Sequence, residues 1–150
     1  MVVEQTHVLI SYNDRKNAVL DQDYEVARQL ASTLQQKGIV AQIKGYSATA
    51  LDSTDIQWFI FVYSPAMRQS AYMVDIVNAA CDLVVNRHMR GILAVTADAA
   101  DLPIEWASIR KYDASDPTEN VAEGILRAMR STKAPYTKTQ ERTWNQSQRV

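Results

Sequence analysis

The sequence predicts an α/β three-layer sandwich on a mostly parallel sheet of about five strands. Short apolar runs alternate with segments of helical periodicity along most of the chain. The central run, Trp58–Tyr63, is aromatic and β-branched with no polar alternation, which marks a strand buried on both faces. Ser64 and Pro65 follow it directly, a helix cap and a residue suited to the first helical position.

Residues 7–12 read as the first strand, ending in a polar turn over 11–16. Val26, Ala27, Leu30, Ala31 and Leu34 then recur at helical spacing. Asp21, Asp23 and Glu25 fall in that helix's first turn, where carboxylates suit the dipole, and Gly38 marks its stop. Residues 39–43 form the second strand. The next connection, 44–54, is short for a parallel crossover and has room for a single helical turn at 48–51. After the central strand one helix is expected, from Pro65 to His88. Met73, Val77, Ala80 and Val84 face inward on it, and Asp75, Asn78 and Asp82 face outward. Gly91–Thr96 is the fourth strand, 98–103 an acidic loop, and 108–112 a weak fifth strand. Asp116, Pro117 and Glu119 read as a cap, a first helical residue and a third-position acid. They open a helix whose inner face holds Val121, Ile125, Leu126 and Met129. Residues 131–150 are polar, with almost nothing to bury, and read as a disordered tail or linker, so the domain spans 1–130. Strands and helices in this alternation favour the flavodoxin-like strand order with right-handed crossovers. Trp58 and Tyr63 read as packing residues, and Trp106 as a cover for the sheet edge.

The bulk numbers exclude several classes. At 150 residues, 47% hydrophobic, 22% charged and a net charge of −1, the chain is one globular domain with no basic excess for nucleic acid. A single cysteine, Cys81, excludes an internal disulfide and fits a cytoplasmic protein. No apolar stretch reaches the length of a membrane span, so no membrane partner is expected. The glycine-rich phosphate loops are absent. His7 and His88 lack neighbours at metal-ligand spacing, so no metal is expected. A phosphoacceptor receiver would need an aspartate after the third strand, where Tyr63, Ser64 and Pro65 stand.

In a sheet of this kind a ligand lies beyond the carboxyl ends of the strands, which nominates 11–15, 44–47, Ser64 and 96–98. The strand-end Ser11 and Tyr12, the helix stopping at Gly38, the Ser64–Pro65 turn and the later Ser70 and Tyr72 resemble, in order and spacing, a TIR (Toll/interleukin-1 receptor) domain. The resemblance runs from Thr6 to Arg130. It implies one of two functions. Some TIR domains signal by associating with themselves or with other TIR domains. Others cleave NAD at the nicotinamide–ribose bond through a ribosyl cation, which a carboxylate must stabilise. In those enzymes the carboxylate is a Glu on the helix after the central strand. A gapless count from Ser70 and Tyr72 puts that Glu on Ile76, or on Val77 in a variant spacing, and the acid close by is Asp75. One helical position turns a side chain by about 100°.

The resemblance therefore implies a TIR-fold assembly module without catalysis and with no required cofactor, its partners being other TIR domains or itself. The alternative it leaves open is an NAD glycohydrolase with Asp75 as the carboxylate. Ser11, Tyr12, Asn13, Arg15, Lys44 and Ser64 would then hold the dinucleotide. A nucleoside-deoxyribosyltransferase-like N-glycosidase shares the architecture and wants the same Glu. The polar tail suits a linker to a further domain.

Overall fold

The computed structural model describes residues 7–12, 22–44, 56–96 and 101–130. Its elements are β1 (His7–Ser11), α1 (Gln22–Gln36), β2 (Val40–Lys44), β3 (Trp58–Tyr63), α2 (Pro65–Arg68), α3 (Ala71–Val85), β4 (Gly91–Thr96), a 3-10 turn (Ile104–Trp106), β5 (Arg110–Asp113) and α4 (Thr118–Arg130). All strand pairs are parallel, in the order β2-β1-β3-β4-β5. This is the flavodoxin-like α/β sandwich that the sequence predicts. The readings placed on 13–16, 45–54, 97–100 and 131–150 lie outside the described residues.

Every residue of β3 is buried. Its side chains alternate between two cores. Trp58, Ile60 and Val62 join Val8, Ile10 and the inner faces of α1 and α4. Phe59, Phe61 and Tyr63 join Leu9, Ile92 and the inner face of α3. Burying a large apolar side chain contributes about 1.5–3 kcal/mol, so this one strand accounts for roughly 10 kcal/mol before entropy is charged against it.

The expected single helix after β3 is two. Ser70 sits in an extended conformation (φ −87°, ψ 107°) and its Oγ accepts the Met73 N–H, starting α3 afresh after α2. Ser70 is thus a second cap, and it is 1% exposed. α3 also stops at Val85, short of His88. The Arg87 N–H reaches the Val84 carbonyl and the His88 N–H the Leu83 carbonyl, closing a Schellman turn. α1 ends the same way, with Gly38 and Ile39 donating to Gln35 and Leu34. The left-handed position is Gly38 in α1 (φ +87°) but Arg87 in α3 (φ 65°).

Smaller shifts have local causes. Ile39 is used up in the α1 stop, so β2 begins at Val40. β5 starts at Arg110 because Trp106 and Ile109 close the preceding turn. The Pro117 carbonyl accepts the Val121 N–H, which puts Pro117 just ahead of α4 rather than within it. Trp106 does not cover a sheet edge. It is 1% exposed, packs edge-on to Phe61 and Tyr63, and donates its indole N–H to Asn78 Oδ1 at 3.0 Å.

α1 and α4 are joined by Lys37, which reaches Glu119 at 3.2 Å and Glu123 at 3.0 Å. The hydrogen bond from Lys37 holds the Glu123 carboxyl below its ordinary value, and the same bond raises Lys37. At the edges, Gln35 Nε2 donates to the Ala41 carbonyl of β2 at 2.9 Å, and Tyr112 of β5 donates its hydroxyl to the Gly124 carbonyl at 2.9 Å. A Cβ on Gly124 would lie 2.6 Å from Tyr112 Cε1.

Gly124→Ala would ordinarily gain about 1 kcal/mol inside a helix. Here it is expected to cost roughly 1–3 kcal/mol by overpacking, and to turn into a gain in a Tyr112→Ala background, as read by urea denaturation. Arg87→Gly relieves a left-handed side-chain-bearing residue and is expected to raise stability by about 1 kcal/mol in the same assay.

Candidate functional site

The carboxyl ends of β1, β3 and β4 bring together Ser11, Tyr12, Ser64 and Thr96, all nominated by the sequence. Ser11 closes β1 between Lys44 of β2 and Phe61 of β3. By alternation with Leu9 it lies on the α3 side of the sheet. It is 2% exposed and its Oγ has no hydrogen-bond partner among the described residues. Ser64, one residue past β3, belongs to the opposite side. Its hydroxyl donates to Asp23 Oδ2 at 2.7 Å, and its Oγ accepts the Met67 N–H at 3.2 Å, capping α2. A hydroxyl on a carboxylate is a charge-assisted bond, so Ser64 ties the first turn of α1 to the end of the central strand.

Tyr12 rests against Tyr24 of α1, ring centroids 5.3 Å apart at 57°. Thr96 donates to the Tyr112 carbonyl at 3.4 Å, and its own carbonyl takes the Ala114 N–H. Asp113 accepts the Ser115 N–H at 2.9 Å, and this backbone bond holds its carboxyl below the ordinary range. Between α1 and α4 at this end lies a cleft of about 20 Å³ lined by Val26, Leu30, Val95, Ala114 and Thr118, room for about one water.

Asn13 and Arg15 lie outside the described residues. Lys44 closes β2, and its side chain is likewise not described. Asp75 is on the outer face of α3, exposed, and no hydrogen bond or ion pair holds it among the described residues. Its neighbours Ile76 and Val77 are 3% and 0% exposed and pack into the core with Met73 and Ala80. Among the described residues no group of His, Cys, Asp and Glu could hold a metal ion, and no helix is long and apolar enough to cross a membrane. Cys81 is buried in α3.

Sequence reasoning assigned Asp23 only to the helix dipole and missed its bond to Ser64. The signal that could have found it is positional. β1 and β3 are neighbours in this strand order, so the start of the helix after β1 lies beside the end of β3. The Trp106–Asn78 bond had no such signal, because the two lie 28 residues apart with β4 between them.

No protein-family model matches the chain, and no curated protein matches it. Solved structures do. Rubredoxin oxygen:oxidoreductase from the anaerobe Desulfovibrio gigas is similar over 83% of this chain and 37% of its own, at 14% identity and a TM-score of 0.56. The lysine decarboxylase of Francisella novicida is similar over 83% of this chain and 17% of its own, at 7% identity and a TM-score of 0.53. A Streptococcus pneumoniae flavodoxin is similar over 81% of this chain and 98% of its own, at 13% identity and a TM-score of 0.49. The chain thus spans well under half of the first two proteins. Identities this low establish the shared fold and nothing of its chemistry.

The two serines should respond oppositely to truncation. Ser64→Ala removes a cap and a bond to a carboxylate and is expected to cost about 1–2 kcal/mol in chemical denaturation. Ser11→Ala removes a buried hydroxyl with no partner, so it is expected to be neutral or stabilising in the same experiment.

Proposed function

We propose that this chain is a TIR-type assembly module, acting by association with itself or with other TIR domains, and that it does not cleave NAD. The observation that supports this reading is the register of α3. The positions where the catalytic Glu of a TIR enzyme would fall, Ile76 and Val77, are core residues sealed against the sheet. A carboxylate there would be desolvated and driven toward its neutral form, unable to stabilise a ribosyl cation. Asp75 is turned by about 100° from Ile76 and is a methylene shorter than Glu, and a misplacement of about 1 Å costs on the order of a hundredfold in rate. Asp23, a carboxylate near the strand ends, accepts the Ser64 hydroxyl.

The alternative, an NAD glycohydrolase using Asp75, draws on one observation. Among the described residues the Ser11 hydroxyl is buried without a partner, at the sheet end where a ribose or phosphate would lie. Nicotinamide release from NAD by the concentrated chain, beside Asp75→Ala, separates the two readings. Neither protein is expected to release nicotinamide above buffer, while light scattering should show a mass that rises with concentration. Release that vanishes in Asp75→Ala would make the chain an enzyme. Release that survives the substitution would place the carboxylate elsewhere and equally sink the non-catalytic reading.

A further inference from the structure

We propose that the amino-terminal end of the sheet is a docking pole for the carboxyl-terminal end of a second copy of this chain, an inference that rests on the assembly reading above. The described cations divide by position. Arg28, Lys37, Arg68 and Lys111 each hold a carboxylate, at 2.8, 3.0, 3.5 and 3.0 Å. Arg87, Arg90, Arg110, Arg127 and Arg130 are exposed and hold none among the described residues.

Four of the second group, Arg87, Arg90, Arg127 and Arg130, share one end of the molecule. Arg87 lies in the turn after α3, and Arg90 directly precedes β4, its N–H on the Gln57 carbonyl just ahead of β3. Arg110 opens β5. Arg127 and Arg130 form the last turn of α4, which runs back from the carboxyl end of the sheet. Glu123, the acid that feels both of them, is already bridged by Lys37. At the opposite end, Asp113 closes β5, Asp116 follows it, and Asp75 lies one turn into α3. No ion pair holds any of these three among the described residues.

Arg87 sharpens the point. It fills the left-handed position that Gly38 fills in the matching turn of α1, so a cation stands where glycine would be conformationally cheaper. Among its described residues, a chain with a net charge of −1 therefore presents unpaired positive charge at one pole and unpaired negative charge at the other. Unlike ends that complement each other give a heterologous contact, which builds stacks rather than closed pairs. The charges are exposed, so they steer association and are screened beyond about 10 Å at 0.1 M salt.

Sedimentation velocity on the full chain tests this. Mass is expected to rise with concentration at low salt and to fall as salt is added. Arg87→Glu with Arg90→Glu, and separately Asp113→Lys with Asp116→Lys, should each weaken association by at least about tenfold while keeping the parent's circular dichroism. An equimolar mixture of the two variants should restore it, because each then offers the other its complement. If the parent associates and both variants match it, the pole contact is wrong and the assembly reading stands. A parent that stays monomeric at every concentration removes both. Binding to duplex DNA or phosphatidylserine vesicles that is lost in the arginine variant, with self-association unmoved, would overturn the second-copy assignment in favour of a polyanion.

Discussion

A strand buried on both faces has to be covered twice, and β3 is such a strand. That requirement sets the layers. α1 and α4 close one side, α3 and the Trp106 turn close the other, and β1 and β4 flank β3 within the sheet. Because every strand runs the same way, each return helix runs back, and the polar ends of the strands gather at one edge. The Ser64–Asp23 bond is a direct product of this geometry. It links the end of the strand that most needs covering to the start of a helix that covers it.

Most of the fold was legible in the sequence because burial on two faces leaves a mark that periodicity can find. Trp58–Tyr63 and Gly91–Thr96 stand at their expected limits, and the inner faces of α1 and α4 are the predicted residues. The errors fall where two local signals compete. Ser70 sits inside the span from Pro65 to His88 that reads as one helix, and only its hydrogen bond to Met73 shows the break. Arg87 carries no hint of a helix stop, because glycine is the usual signal and the left-handed arginine is an exception.

The strand-end polar residues were legible as a group, and their roles were not. Ser11 and Ser64 look alike in sequence, each a serine closing an apolar run. Alternation sends them to opposite faces, so one meets a carboxylate and the other meets only the core. Trp58 shares the second condition, its indole N–H being buried without an acceptor among the described residues. A buried donor or hydroxyl left unmatched costs about 1–3 kcal/mol. The molecule offsets this through the extensive apolar contact on both sides of the sheet. Asp75 was placed on the outer face by helical spacing, and it is there, while the burial of Ile76 and Val77 follows from the same spacing.

The Gln35 side chain, set against the Ala41 carbonyl of the outermost strand, bears on how copies of this protein can meet without harm. An open sheet is a template that a stray strand can lengthen, and runaway lengthening ends in fibres. On the β2 side a backbone acceptor that a newcomer would need is already engaged, and on the β5 side Arg110 and Lys111 oppose a neutral strand. Both edges of the sheet therefore work against strand addition when such chains are crowded together.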